Sequence, residues 1–377
     1  AQAVPSCEAL PDEPGTPIPK LYIENGDTQE PLIKALGRQL ISTAGSKLRI
    51  IYRNRPTCEI RTDMFGVKGT PGPVKMTTVD GTAPAGTPNA STAVRPVRYI
   101  PVGTPEAGKD YQCTVPALAD AATAHVIDLG IGATYLSSCK QEIETTGPMK
   151  EFEGPIQAYG FITHPQSQQN GITAEEGYLA FAFPEGGGEA LPWVLQNMRF
   201  IRKAGASTTL TMASNVRLDP SVFVKNATTF ATDKSADVIA AVSGSSNPEA
   251  TLGNLGMDLY DQDRSKVKLL PFRGFGQRFA YYPDANKDSF DKANVRDGHY
   301  LPWSPTPYMS VATGNEIANA SAKRFYSLVR GFITETDVDG LKTVAQNTLV
   351  PECAMKVQRA IDGGDLTLYS DPAPCTC

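Results

Sequence analysis

Residues 20–24 (Lys-Leu-Tyr-Ile-Glu) form a short apolar run that predicts a strand. A polar turn follows, Asn25-Gly26-Asp27-Thr28-Gln29-Glu30-Pro31, and then Leu32, Leu36 and Leu40 recur every four residues, the spacing of one helical face. Asp27 or Thr28 stands where a helix cap belongs, and Glu30 where a capping box wants an acid. Residues 47–53 predict a second strand with a polar exit, Asn54-Arg55-Pro56-Thr57-Cys58. Strand, helix and strand in such close succession make a βαβ unit and imply a parallel sheet. Ligands on such sheets gather at the C-terminal strand ends. Here those ends are residues 26–29 and 53–57.

The pattern then loosens. Residues 69–108 are rich in Pro, Gly, Thr and Ala, which predicts a long irregular insertion around a few short strands. Residues 126–131 read as a buried strand ending in Gly132-Ala133-Thr134-Tyr135, and 155–163 as another, the crossing into a second lobe. A helix is expected over 172–181 with Thr173 as its cap, and a short one over 235–242. Residues 254–260 and 267–270 read as strands. A strand over 307–311 returns to the first lobe, followed by helices over 315–330 and from about Asp337. The expected organisation is an extended proline-rich leader (1–19), a discontinuous first lobe (20–154 plus 300–350), a second lobe (155–299) and a cysteine-containing tail (351–377). No internal repeat is evident.

One stretch carries candidate chemistry: Phe200-Ile201-Arg202-Lys203-Ala204-Gly205-Ala206-Ser207-Thr208-Thr209-Leu210. An apolar strand end runs into an arginine, then a small-residue turn, then hydroxyls opening a helix. Free backbone N–H groups, the Ser207 and Thr208 hydroxyls and the planar Arg202 fork together suit an anion. An ordinary strand–loop–helix joint has the same composition.

Charge and cysteines narrow the field. A net charge of -5 over 377 residues, with no basic run, argues against nucleic acid. Hydrophobic residues make up 41% of the chain, enough for a sizeable core, and no stretch reaches the length of a transmembrane span. Seven cysteines at 7, 58, 113, 139, 353, 375 and 377 are dispersed, without a Cys-x-x-Cys pair. Together with the opening Ala-Gln-Ala-Val-Pro, read as a mature end after signal removal, they predict disulfides and a secreted, periplasmic or extracellular protein. Cys58–Cys113 is the preferred pairing among several open ones, Cys7 a candidate to pin the leader, and one cysteine is left over.

The order of elements resembles the phosphate-binding (type 2 periplasmic) family of bacterial extracellular solute-binding proteins, over about residues 20–345. Gly26-Asp27-Thr28-Gln29 matches that family's opening turn, and residues 53–57 its second Ser/Thr-rich turn. Gly130-Ile131-Gly132-Ala133 stands where the family has Gly-x-Ser-Asp, and Arg202-Lys203-Ala204-Gly205-Ala206-Ser207-Thr208 where it has Arg-x-x-Gly-Ser-Gly-Thr. Residues 235–242 and 253–256 resemble its later Val-rich and Ile-Gly-Tyr passage. The resemblance implies an α/β, two-lobed type 2 fold, each lobe a mostly parallel sheet flanked by helices. It also implies a non-enzymatic protein without cofactor or metal, closing on a small anion between its lobes. The implied ligand contacts are Arg202, Ser207, Thr208, Thr28, Gln29, Thr57 and Thr134, with Arg53 and Arg55 adding positive charge if they face inward rather than into solvent. An ABC permease is the implied partner.

The departures carry weight too. Ala133 replaces the family's hydrogen-bond-accepting aspartate and Ala206 a donating serine. An alternative therefore stands: a secreted structural or interaction protein that keeps the fold, has lost the phosphate site, and self-associates or binds an extracellular protein. Asp284, Asn286, Asp288 and Asp291 suggest a calcium loop but lack its glycine and closing glutamate, so a polar turn is expected. His299 reads as a packed histidine. Three histidines in all leave no triad or carboxylate pair to argue for catalysis. Sequons at Asn89, Asn226 and Asn319 matter only in a eukaryotic secretory host.

Overall fold

The computed structural model describes residues 4–10, 16–77, 95–184, 188–227, 231–232 and 234–375. It divides into two compact units, the first built from Ala1–Gly132, Lys140–Gly154 and Pro307–Thr343, the second from Ala133–Cys139, Pro155–Thr306 and Val344–Cys377. Both units are mixed α/β, each built on three mutually parallel strands that antiparallel strands extend.

In the first unit, β1 (Lys20–Asn25) pairs in parallel with β2 (Arg49–Asn54), Lys20 facing Arg49 and Asn25 facing Asn54. Strand Leu129–Ile131 lies parallel to β1 on its other side. Val97–Tyr99 and Gln112–Cys113 extend the β2 edge antiparallel. Helix α1 (Glu30–Ser42) connects β1 to β2 as the four-residue spacing predicts, burying Leu32, Leu36 and Leu40. Its expected cap is not used. A 3-10 turn, Asp27–Gln29, comes first, and Gln29 takes the cap position without a side-chain bond. Asp27 instead accepts from the Thr28 amide at 3.1 Å, and Glu30 is drawn away to Lys34 and Asn54. Helix α2 (Thr57–Phe65) follows β2 and packs so closely that a Cβ on Gly130 would meet Met64 Cγ at 2.5 Å.

In the second unit the strands run in the order Ala231–Thr232, Arg199–Arg202, Leu252–Gly256 and the part of strand Met149–Thr163 from Pro155 on. The first two pairings are parallel and the last antiparallel. Its core gathers Phe161, Phe181, Trp193, Phe223, Leu252 and Trp303. Helix α3 (Ala174–Ala182) has the expected cap: the Glu176 amide donates to Thr173 Oγ1 at 3.1 Å, and the Thr173 amide to Glu176 Oε2 at 2.7 Å. Helix α4 (Ser207–Asn215) opens at Ser207, and Ser235–Ser243 is helical. One expectation fails: residues 254–260 are not a single strand. The strand ends at Gly256 and Met257–Gln262 turn into a helix.

The six described cysteines are disulfide-bonded, but not paired as expected. Cys113 bonds Cys7, not Cys58, because Ser6 and Thr114 form a β-bridge that lays the leader beside Cys113. Cys353 bonds Cys375, and Cys58 and Cys139 are disulfide-bonded as well. Cys377 lies outside the described residues, as do residues 78–94 of the expected insertion, with the sequon at Asn89.

Candidate functional site

The turn between strand Arg199–Arg202 and α4 is the best-formed candidate. Ala206 occupies the helix cap in extended conformation (φ -77, ψ 138) and offers no side chain to cap the first-turn amides. Thr209 Oγ1 donates back to the Arg202 carbonyl at 2.7 Å and locks the turn. Ser207 and Thr208 are buried, and the Thr208 hydroxyl, fully inaccessible, meets no hydrogen-bond partner among the described residues. A buried hydroxyl left in that state costs roughly 1–3 kcal/mol. Arg202, 3% exposed, donates through Nε to the Thr232 carbonyl at 3.3 Å and through Nη1 to Ser235 Oγ. The guanidinium is thus braced within a few residues of a helix N-terminus whose partial charge is also positive.

Thr134 is engaged by other side chains of the second unit. It is fully buried, and its hydroxyl lies 2.6 Å from Asp362 Oδ2 and 3.0 Å from Thr211 Oγ1. An ionised carboxylate only accepts, so Thr134 gives its proton to Asp362 and Thr211 gives its own to Thr134. Ser138 donates to the same Oδ2. Burial pushes the Asp362 carboxyl up, against the hydrogen bonds of Ser138 and Thr134 that hold it down. Nothing in the local sequence marks Asp362, which stands ahead of Gly363-Gly364 and 228 residues from Thr134.

In the first unit, Thr28, Gln29 and Thr57 are all buried at the C-terminal ends of β1 and β2, as the βαβ reading requires. Thr28 Oγ1 also meets no partner among the described residues. The strand ends are tied together by Asn25 Nδ2 donating to Asn54 Oδ1 at 2.8 Å. Arg53 and Arg55 are buried and paired with carboxylates rather than solvated. Arg53 Nε donates to Glu24 Oε1 at 3.1 Å and Nη1 to the Thr77 carbonyl at 2.7 Å. Arg55 Nε lies 3.0 Å from Asp63 Oδ2, and its Nη2 3.5 Å from Glu59. Burial alone would raise the Glu24 carboxyl, yet Arg53 and Arg55 outweigh it and hold Glu24 low. Burial and the neighbouring Glu24 push Asp63 well above the usual carboxylate range.

The remaining sequence candidates resolve as structure. Asp284 accepts from the Lys292 amide at 2.8 Å and pairs with Lys292 and Arg264, while Asp291 accepts from the Ala285 and Ala293 amides. Those residues build a polar turn, and no group of metal-ligating side chains occurs among the described residues. His299 stacks on Tyr281 with ring centroids 5.0 Å apart. Asn226 donates to the Phe181 carbonyl, and Asn319 caps the helix Ala320–Val329 while donating to Asp128, so both sequon amides are engaged. No described helix is long and apolar enough to cross a membrane.

Neither the family models nor the curated proteins compared with this chain match it. Solved structures do. A Clostridium perfringens protein described as a phosphate ABC transporter substrate-binding protein, with bound phosphate, superposes with a TM-score of 0.51 at 12% identity, covering 88% of this chain and 99% of that one. A Planctomyces limnophilus protein described as phosphate-binding gives 0.42 at 11% identity, covering 89% and 94%. PstS from Borrelia burgdorferi gives 0.41 at 10% identity, covering 88% and 98%. At such identities likeness speaks for architecture alone, and the chain has the two-lobed α/β fold of the type 2 periplasmic binding proteins.

Proposed function

We propose that this is a non-enzymatic, exported binding protein whose second unit takes a small oxyanion at the N-terminus of α4. The observation that carries the reading is the Thr208 hydroxyl, fully buried in the first helical turn with no partner among the described residues. A hydroxyl so placed is a preformed donor, and the cap left bare by Ala206 adds backbone amides to it. Ser207 is the neighbouring donor, and the braced Arg202 supplies charge. In the first unit, Thr28 with its own unmatched hydroxyl, Gln29 and Thr57 are the corresponding candidates. The disulfides support an extracellular or periplasmic setting, and an ABC permease would be the partner of such a protein.

A second reading has specific support: the fold is kept while the anion chemistry is largely spent internally. Arg53 and Arg55 are paired with Glu24, Asp63 and Glu59, and the Thr134 hydroxyl is taken up by Asp362. Self-association or an extracellular protein partner would then be the role.

Thr208→Val separates them, because it removes only the hydroxyl at nearly constant volume. Titration calorimetry with inorganic phosphate and sulfate is the assay. The first reading expects weak binding by the parent chain, lowered about tenfold or more in the variant, with the free variant as stable as the parent or slightly more so. Arg202→Ala should lower it further. No heat from either anion with the parent chain, or equal affinities in parent and Thr208→Val, would overturn the first reading and leave the second.

A further inference from the structure

Asp362 belongs to a segment with little regular structure, between the short paired strands Val357–Gln358 and Thr367–Leu368. Its neighbours point outward: Ile361 is exposed, yet Asp362 is 7% exposed. What receives it comes from three other segments of the second unit. Thr134 and Ser138 donate to Oδ2 from the turn after residue 132, and Thr211 backs Thr134 from α4. Ser304 accepts from the Tyr135 amide at 3.0 Å, and its hydroxyl adds to the groups that favour the charged form of the Asp362 carboxyl.

The segment is fastened on either side of the aspartate. The Tyr135 hydroxyl donates to the Arg359 carbonyl at 2.5 Å, and Arg359 Nη2 donates to the Leu301 carbonyl at 2.8 Å. The Arg359 guanidinium lies 3.9 Å from the Trp303 ring centroid. After it, Gly363 (φ +68) passes so close to α4 that a Cβ there would meet the Ser214 carbonyl oxygen at 2.6 Å. Only glycine adopts this conformation at this distance.

The occupant fits its cradle unevenly. Oδ2 collects the donated protons, while Oδ1, equally buried, meets no partner among the described residues. Hydroxyls converging from separate segments on a single carboxyl oxygen form a receptor for an anion. The hydroxyl chain runs in one direction, from Thr211 through Thr134 to the carboxylate, so each bond polarises the next.

We propose that the Thr134–Ser138–Thr211–Ser304 cluster is a carboxylate-binding site, and that Asp362 is its built-in occupant, a tethered ligand carried by the C-terminal segment. While docked, Asp362 fills the site at the high effective concentration of any tethered group. It also sets a negative charge near α4, where Thr208 and Thr211 lie three residues apart on one face. Asp362 therefore weakens anion binding at Thr208. This second consequence rests on the function proposed above, whereas the carboxylate site itself does not.

The test uses the full chain with Asp362→Gly, which vacates the cradle, and Asp362→Asn, which keeps it filled without the charge. Acetate and formate are the probes, with chloride at equal ionic strength as control. Asp362→Gly is expected to gain a saturable rise in melting temperature with acetate or formate at millimolar concentration. The parent chain and Asp362→Asn should show none. Adding Thr134→Val to Asp362→Gly should abolish the effect. If Asp362→Gly is unfolded in buffer, acetate-dependent refolding reads the same quantity. No response to either probe in Asp362→Gly, or an equal response in the parent chain, overturns the carboxylate site. Phosphate titration of Asp362→Asn reads the second consequence, with affinity at least tenfold above the parent expected. Rescue by acetate without phosphate binding in any variant would sink the α4 reading and leave the tethered ligand standing. Phosphate binding without acetate rescue would do the reverse.

Discussion

At the scale of single residues, buried charge in the first unit is the decisive feature. Glu24 is fully inaccessible and faces Arg53, itself 3% exposed. Truncating it by Glu24→Ala leaves two buried guanidinium groups short of a counter-charge, which typically costs 3–5 kcal/mol. Urea unfolding of Glu24→Ala should show a loss of about that size, and a loss below about 1 kcal/mol would mean that water enters the cluster. His125 makes a second, milder prediction. It stacks on Tyr22 at 4.1 Å between centroids, and its Nε2 lies 3.4 Å from Asp128. The Asp128 hydrogen bond raises its pKa against partial burial, with Asp128 and Glu8 adding attraction and Lys20 opposing. A raised histidine stabilises the fold fully below its unfolded value, about 6.5, and that contribution disappears as pH climbs through the folded value. The parent chain should therefore gain stability from pH 8 to pH 6 relative to His125→Gln. Parallel pH profiles for the two proteins would dismiss the pair. The chemistry of these residues was only partly legible beforehand. Thr28 stands at a turn that the βαβ pattern marks out and Thr208 at a strand–turn–helix joint, but the sequence could not say whether Arg53 and Arg55 meet solvent, ligand or carboxylate.

At the scale of elements, local signals worked where both partners of an interaction lie within one turn. Thr173 and Glu176 are three residues apart and form the reciprocal cap that the spacing suggests. Thr173→Ala should cost about 1 kcal/mol, within the usual range for such caps, with the loss seen as a lower denaturant midpoint at unchanged slope. The same logic applied to Asp27 and Glu30 fails, because β2 brings Asn54 and Tyr52 within reach of Glu30 and competes for it. A cap is a contest between local and distant partners. At α3 the local one wins, and at α1 the neighbouring strand does. The helix at Met257–Gln262 was missed because six residues hold too little periodicity to outvote an apolar run.

At the scale of the whole molecule, the Cys7–Cys113 bond spans 106 residues and pins the leader to the first unit. A loop of about 100 residues gains roughly 4–5 kcal/mol in the chain-entropy model. Cys7→Ser with Cys113→Ser should lower stability by a large part of that and render residues near the leader cleavable by protease. An unchanged cleavage pattern would show that the bridge at Ser6–Thr114 suffices alone. Alkylation without reductant, read by intact mass, should label few of the seven cysteines.

The sequence alone determined the alternation of strands and helices, the parallel βαβ start, the α4 turn and the oxidised cysteines, because each follows from patterns a few residues long or from composition. Tertiary structure alone decided which cysteine meets Cys7, that Arg53 and Arg55 are neutralised, and that Asp362 reaches Thr134. These are contacts between segments tens to hundreds of residues apart, and no local spacing encodes them. Hydrophobic periodicity tells a residue which way to face. Only the packed chain tells it what it will face.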